Sequence, residues 1–208
     1  MARISSPVCR LCRRAGQKLF LKGTRCDTPK CAFERRDAAP GMAGSRKGKQ
    51  TDYGLHLREK QKVKQWYGVL ERQFRRIFRD AERSKGNTGE TLLVLLERRL
   101  DNIVFRLGFG QSRAQARMMV SHGHITVNGR RADIPSMLLR PGDVVRVKGR
   151  SKSLQLAKAN LESLSRDLPD YLSRVEGDVP EGHVVRLPEA TEAGVPVQTN
   201  LIVELLSK

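Results

Sequence analysis

The chain of 208 residues has four cysteines, Cys9, Cys12, Cys26 and Cys31, all within its first 31 positions in the spacing C-x2-C-x13-C-x4-C. A segment this short buries too little apolar surface to fold unaided, so whatever joins the sulfurs decides whether it folds. A tetrahedral ion accepts four thiolates; a C-x2-C pair delivers two of them from one turn, and the second pair closes the cage. Disulfides are the alternative. They are disfavoured because no charged segment followed by an apolar run opens the chain and no stretch is apolar enough to span a bilayer, so a reducing, intracellular setting is expected. Zinc is the expected occupant, with an iron–sulfur cluster as the other group that four thiolates would hold; the spacing does not separate them. Metal binding would then supply most of the ordering free energy of this knuckle.

Charge defines the partner. The formal net charge is +18, and the excess of cations lies wholly before residue 151; residues 151–208 carry 6 Lys+Arg against 9 Asp+Glu. A solubility device spreads its charge, whereas a basic front and a slightly acidic end predict a face for a polyanion and a tail packed elsewhere. An anionic membrane is the rival polyanion, but no basic amphipathic helix with a Trp/Leu/Phe face and no lipidation signal is present, so no membrane partner is expected. Within the knuckle, Arg10, Arg13, Arg14 and Lys22 fill the gaps between cysteines, followed by Arg35 and Arg36; all six are candidate phosphate contacts.

After Cys31 a Gly- and Pro-rich basic run from Arg35 to Gln50, with Pro40, Gly41, Gly44, Arg46, Lys47, Gly48 and Lys49, has no apolar period and is expected to be extended. Gly41-Met42-Ala43-Gly44 fits the GxxG clamp of one RNA module by chance only, since the framing helices are missing. From Thr51, Leu55, Leu57, Val63, Trp66, Tyr67, Leu70, Phe74, Ile77 and Phe78 recur near the helical period, with Gly68 as a break. These aromatics are expected as core, leaving Arg72, Arg75, Arg76, Arg79 and Arg83 on or beside the opposite face, part of it free for RNA. After Lys85-Gly86-Asn87 a second helix is expected to run unbroken through Leu92, Leu96, Leu100, Ile103, Val104 and Leu107 to Gly108, with Arg98, Arg99 and Arg106 outward.

Ser112 and Gln115 form a capping box opening a helix from Arg113 to Ser121, and Gly123 suits its end. Ile125 and Val127 alternate inward, Asn128-Gly129 signals a two-residue hairpin, and Arg130-Arg131 start the return. Pro141-Gly142 turns again into Val144, Val145 and Val147. Residues 154–164 read as a connecting helix, and Tyr171 to Leu187 as two further strands around a turn from Gly177 to Gly182, completing a five-stranded antiparallel sheet. The free N–H groups at Ser112 and Arg113, with Arg113, Arg117, His122, His124, Arg130 and Arg131, would converge on one edge able to grip a phosphate backbone.

The runs Arg98-Arg-Leu-Asp-Asn-Ile-Val-Phe-Arg-Leu-Gly108, Ser112-Arg-x-Gln-Ala-Arg117, His122-Gly-His-Ile-Thr-Val-Asn-Gly-Arg130 and Arg140-Pro-Gly-Asp143 resemble the RNA-binding domain first described in the fourth protein of the bacterial small ribosomal subunit. Val8-Cys-Arg-Leu-Cys-Arg-Arg14, Arg58-Glu-Lys-Gln-Lys62, Tyr67-Gly-x-x-Glu-x-Gln-Phe-Arg75 and Leu187-Pro188 extend the likeness to that ribosomal family over essentially the whole chain. It departs at Pro40-Gly-Met-Ala-Gly44, where family members commonly have Pro-Gly-Gln-His-Gly. The resemblance implies an α+β protein: a four-Cys metal knuckle and basic loop (1–45), a helical domain (46–95, completed by about 190–208, with residues 201–206 helical) and an inserted RNA-binding domain of helices on a small antiparallel sheet (96–189). It implies a structural, rRNA-binding constituent of the cytoplasmic small subunit that folds a helix junction of the rRNA 5′ domain. Arg58, Lys62, Gln115 and Asn128 join the rRNA-binding candidates. Arg46, Lys47 and Lys49 are expected near the path by which mRNA enters and near the neighbouring fifth small-subunit protein, with a role in translational accuracy.

No phosphate-binding GxxxxGK[ST], dinucleotide GxGxxG, HExxH or nucleophile elbow is present, and His56, His122, His124 and His183 pair with no spaced carboxylate or nucleophile, so no catalytic residue and no small-molecule substrate are expected. Aromatics at 5% favour recognition of folded RNA by shape and backbone over stacking of splayed bases. Two other classes stand beside this one: an RNA-modifying enzyme, since pseudouridine synthases and tyrosyl-tRNA synthetases carry a similar small domain, and a metal-finger protein on duplex DNA. Little chain remains for a catalytic domain, and the basic residues spread over loops, helix ends and a hairpin rather than one recognition helix.

Overall fold

A computed structural model describes residues 4, 6–36, 38–41, 49, 51–163, 167–175 and 177–207. Chain contacts divide into two compact units, residues 1–92 with 194–208, and residues 93–193. In the first, helix α1 (Cys9–Ala15) ends at Gly16 with positive φ and is followed by a 3-10 turn at Gly23–Asp27 and the single turn α2 (Ala32–Arg35). Helix α3 (Asp52–Trp66) opens under Thr51, whose Oγ1 accepts from Gly54 N at 3.2 Å; Gly68, at φ 64°, turns the chain into α4 (Glu71–Glu82). Trp66, Tyr67, Phe74 and Phe78 are buried, as the aromatic spacing predicts. The terminal helix α9 (Thr199–Leu206) packs along α3, and Gln198 N donates to Glu59. Residues 201–206, readable from the pattern as helix or strand, are helical.

The expected single helix from Leu92 to Leu107 is two. Helix α5 (Thr88–Glu97), opened by the Asn87 side chain accepting from Gly89 N at 2.9 Å, stops before Arg99. Arg99 is extended and bridges to Leu138, while Leu100 N donates to Met137 O and Leu139 N to Arg98 O; α6 (Leu100–Arg106) then restarts. The apolar residues keep the helical spacing in sequence across the two non-helical residues Arg98 and Arg99, so periodicity alone could not reveal the joint.

Helix α7 (Arg113–Ser121) starts as its sequence predicts: Ser112 Oγ accepts from Gln115 N, and Gln115 Oε1 reaches back to Gln111 N at 2.7 Å. Gly123 follows with φ 70°. Five antiparallel strands, β1 (Ile125–Val127), β2 (Arg130–Arg131), β3 (Val144–Val147), β4 (Leu172–Val175) and β5 (Glu181–Val184), stand in the order β2-β1-β3-β5-β4. Asn128 and Gly129 both have positive φ, as a tight two-residue hairpin turn requires. Ile125 opposes Val147 and Val127 opposes Val145, placing one apolar row inward beneath α6, α7 and α8 (Ser151–Glu162). On the other face Arg146 pairs with Glu181.

Gly182, expected in a turn, lies inside β5 opposite Val145 and Arg174. It is required there by close approach: a Cβ at this position would meet Leu107 Cδ2 at 2.3 Å. Gly182→Ala should therefore destabilise the protein by about 1–3 kcal/mol in urea unfolding, and Leu107→Ala should be less harmful in that background than in the wild type. Additive losses would show that the contact is not what holds position 182 to glycine.

Candidate nucleic-acid interface

In the knuckle all four cysteines are free thiols; Cys12, Cys26 and Cys31 are buried and Cys9 is half-buried. Burial pushes the Cys12 thiol up, a backbone hydrogen bond at Leu19 offsets part of this, and the charges of Cys26, Cys9 and Cys31 add to the rise. Cys26 behaves alike, burial first, with a backbone hydrogen bond at Lys22 opposing. The sulfurs therefore feel one another, and the net effect at Cys12 and Cys26 favours the thiol over the thiolate. Among the described residues, however, no three His, Cys, Asp or Glu groups are gathered closely enough to hold an ion. Around them Arg10, Arg14, Lys22, Arg35 and Arg36 are exposed, while Arg13 is turned inward, its Nε donating to Ala38 O at 2.8 Å.

On the helices of the same unit Arg58, Arg72, Arg75 and Arg76 are exposed, and half-buried Lys62 pairs with Glu59. Glu71 accepts from Lys60 at 2.7 Å, Lys64 at 3.0 Å and Arg75 at 3.1 Å. Burial pushes its pKa up, but these three donors outweigh burial and hold it at about 2. Of the basic loop, Lys49 is exposed; Arg46 and Lys47 lie outside the described residues.

The sheet-bearing unit departs most from expectation. Arg99, expected outward, is 1% exposed and clasps Asp101 through Nε at 3.1 Å and Nη2 at 2.9 Å. Arg106 likewise turns in, donating to Glu97 at 3.1 and 3.0 Å and to the carbonyls of Glu192 and Ala193. Glu97 has no exposure at all, and it also accepts from Asn102 Nδ2 at 2.7 Å and Tyr171 OH at 3.0 Å. Burial and then Glu97 push the Tyr171 hydroxyl far above its usual range, so it stays a donor. Arg98 is half-buried with Nε on Leu139 O, its pKa lowered by burial and then by Arg140.

This network reaches the interface candidates. Arg117 donates to Asp101 at 2.8 Å; Arg113 donates to Asn102 Oδ1 at 2.9 Å and stands 4.3 Å over the Phe105 ring. Ser112 and Gln115 are spent on the cap. Asn128 braces the hairpin, donating to Asp143 and accepting from Val144 N, each at 2.8 Å. His122, Arg130 and Arg131 are exposed, Arg131 standing 3.6 Å from Asp133, and His124 Nδ1 meets Ser153 Oγ at 2.9 Å. The expected edge thus splits into inward braces at the start of α7 and outward cations at its end.

The residues 3–97 match the family model described as ribosomal protein S4/S9 N-terminal domain, and residues 98–145 match that of the S4 domain. The small ribosomal subunit protein uS4 of Thermoanaerobacter pseudethanolicus is 59% identical over 208 residues, covering 100% of both chains. The chain belongs to the ribosomal protein S4 family. The proteins of the same name from Thermodesulfovibrio yellowstonii and Desulfitobacterium hafniense are 54% and 55% identical over 209 residues, again with 100% of each chain covered. Among the described residues of this S4 family member, no helix is long and apolar enough to cross a membrane.

Two outcomes follow from the charges. Asp101→Ala leaves Arg99 buried without its carboxylate and should cost about 3–5 kcal/mol in denaturant unfolding. Because the Glu71 pKa is depressed on folding, its contribution is complete above pH 4.5 and lost as pH falls towards 2; Glu71→Gln should flatten the stability profile in that window, as read by acid titration followed by circular dichroism.

Proposed function

We propose that this chain is a structural constituent of the small ribosomal subunit that binds its rRNA through the phosphate backbone, and is not an enzyme. The end-to-end identity with proteins named small ribosomal subunit protein uS4 carries the reading. The net charge of +18 and the exposed arginines of the knuckle and helices support it chemically. In this reading residues 96–189 are the RNA-binding domain proper, and the knuckle and basic loop (1–45) with the helical domain (46–95 and about 190–208) grip further helices of one junction in the 5′ domain, which the protein folds during assembly. The exposed candidates contact phosphate directly; Arg13, Arg113, Arg117, Asn128, Ser112 and Gln115 act through the surfaces that they shape. Neutralising about ten phosphates makes affinity fall roughly 10³- to 10⁵-fold between 50 and 200 mM salt. Anisotropy titration against a folded 5′-domain transcript should show this, and a flat response would reject the reading.

The knuckle reading keeps zinc on Cys9, Cys12, Cys26 and Cys31, supported by four unpaired cysteines, three of them buried, whose charges bear on one another. Elemental analysis should find one zinc per chain, and a chelator should expose the first 35 residues to amide exchange while leaving the sheet protected. Visible absorbance from iron would shift the assignment to a cluster, and a metal-free protein with a protected knuckle would end it. Arg46, Lys47 and Lys49 stay assigned to the path by which mRNA enters, beside the fifth small-subunit protein. Their joint replacement by Ala should spare junction binding while altering decoding accuracy in reconstituted subunits.

A further inference from the structure

The two cysteine pairs of the knuckle are not equivalent. Cys9 is the first residue of α1 and Cys12 stands three residues on, so both sulfurs leave one face of a single helical turn. Cys26 lies in the 3-10 turn Gly23–Asp27 and Cys31 is extended ahead of α2; Thr28, between them, donates to Arg25 O and accepts from Cys31 N at 2.9 Å. Access separates the pairs further. Cys12, Cys26 and Cys31 are 7–8% exposed, whereas Cys9 is half-buried. A backbone hydrogen bond at Leu19 holds the Cys12 sulfur in place. The Cys9 end of the helix is held more loosely: Val8 supplies no side-chain cap, and the entry rests on Arg10 N donating to Pro7 O at 3.1 Å and Leu11 N to Val8 O at 2.9 Å.

Residues three apart on a helix hold their Cβ atoms about 5–6 Å apart, and a disulfide draws them to about 3.5–4.5 Å. An uncapped first turn can yield the difference. One accessible sulfur at the head of a turn, with a second buried beneath it, suits a dithiol that reacts in two steps. We propose that Cys9 and Cys12 form an oxidisable pair whose reactant is a peroxide. The Cys9 sulfur attacks one peroxide oxygen, the O–O bond breaks, and water leaves with a sulfenic acid on Cys9. The Cys12 thiol then attacks the Cys9 sulfur; its proton departs with the hydroxyl as a second water, and the S–S bond forms. Two electrons pass from the sulfurs to the peroxide. A small thiol reverses the change by exchange. Oxidation in this way withdraws two of the four sulfurs, so the modified chain cannot complete a four-thiolate cage. The pair itself needs only Cys9 and Cys12 and does not rest on the zinc reading.

The full-length protein, treated with hydrogen peroxide and mapped by mass spectrometry, tests the pair. Unreacted thiols are alkylated first, disulfides are then reduced, and the sulfurs so released take a second label. Cys9 and Cys12 should acquire the second label together, about five- to tenfold faster than Cys26 and Cys31. Cys12→Ser removes the resolving thiol, so Cys9 should stop at the sulfenic acid and be trapped by dimedone, which the wild type should scarcely take up. Cys31→Ser, which leaves the pair intact, should still give the Cys9–Cys12 disulfide. All four cysteines oxidising at one rate, a Cys26–Cys31 disulfide forming first, or Cys12→Ser giving no dimedone adduct on Cys9 overturns the pair. Elemental analysis of the same samples keeps the two readings apart: zinc present with oxidation elsewhere ends the pair alone, and a metal-free protein that forms the Cys9–Cys12 disulfide upholds the pair while ending the zinc assignment.

Discussion

Everything around the sheet is tied to one carboxylate with no access to water. Glu97 ends α5 and gathers Asn102 and Arg106 from α6 and Tyr171 from the approach to β4, while Arg106 carries the tie on to the turn at Glu192 and Ala193. A buried anion is tolerable only when its lone pairs are filled, so these groups are fixed together or not at all. Asp101, one residue before Asn102, repeats the arrangement with Arg99 and Arg117. Two adjacent positions on one short helix thereby set the lie of α7, and the cations at its far end are placed before any ligand arrives. Preorganisation of that kind lowers the ordering cost of binding.

Much of this unit was legible because its signals are local. A capping box, a positive-φ glycine and an Asn-Gly turn each depend on a few neighbouring residues, and all three appear where the sequence puts them. The α5–α6 joint was not legible, since it exists to let Arg99 bridge to Leu138, a residue far away in sequence. Arg99 and Arg106 were read as outward because a guanidinium is expected in water; only the folded chain shows the carboxylates that draw them in. Gly182 misled for a similar reason: glycine reads as a turn unless the leucine pressing on it is known.

The candidate site divides along the same line. That His122, His124 and Arg131 stand together could be read from a helix end feeding a hairpin. The docking of Lys148 N on His124 O could not, because the pairing of β1 with β3 brings the two together. In the knuckle the spacing gave the donor set, but four thiols that already feel one another are not yet gathered as ligands. One unit has a continuous apolar core beneath a sheet, whereas in the reading proposed above the head of the other is ordered by a metal held on its sulfurs.

Of the two edge strands, β2 and β4, the first is built against pairing with another chain. β2 is two residues long, both of them exposed arginines. A longer apolar strand in that place would offer open peptide groups to any neighbouring copy and invite stacking into aggregates. Two like charges at that margin make such stacking repulsive.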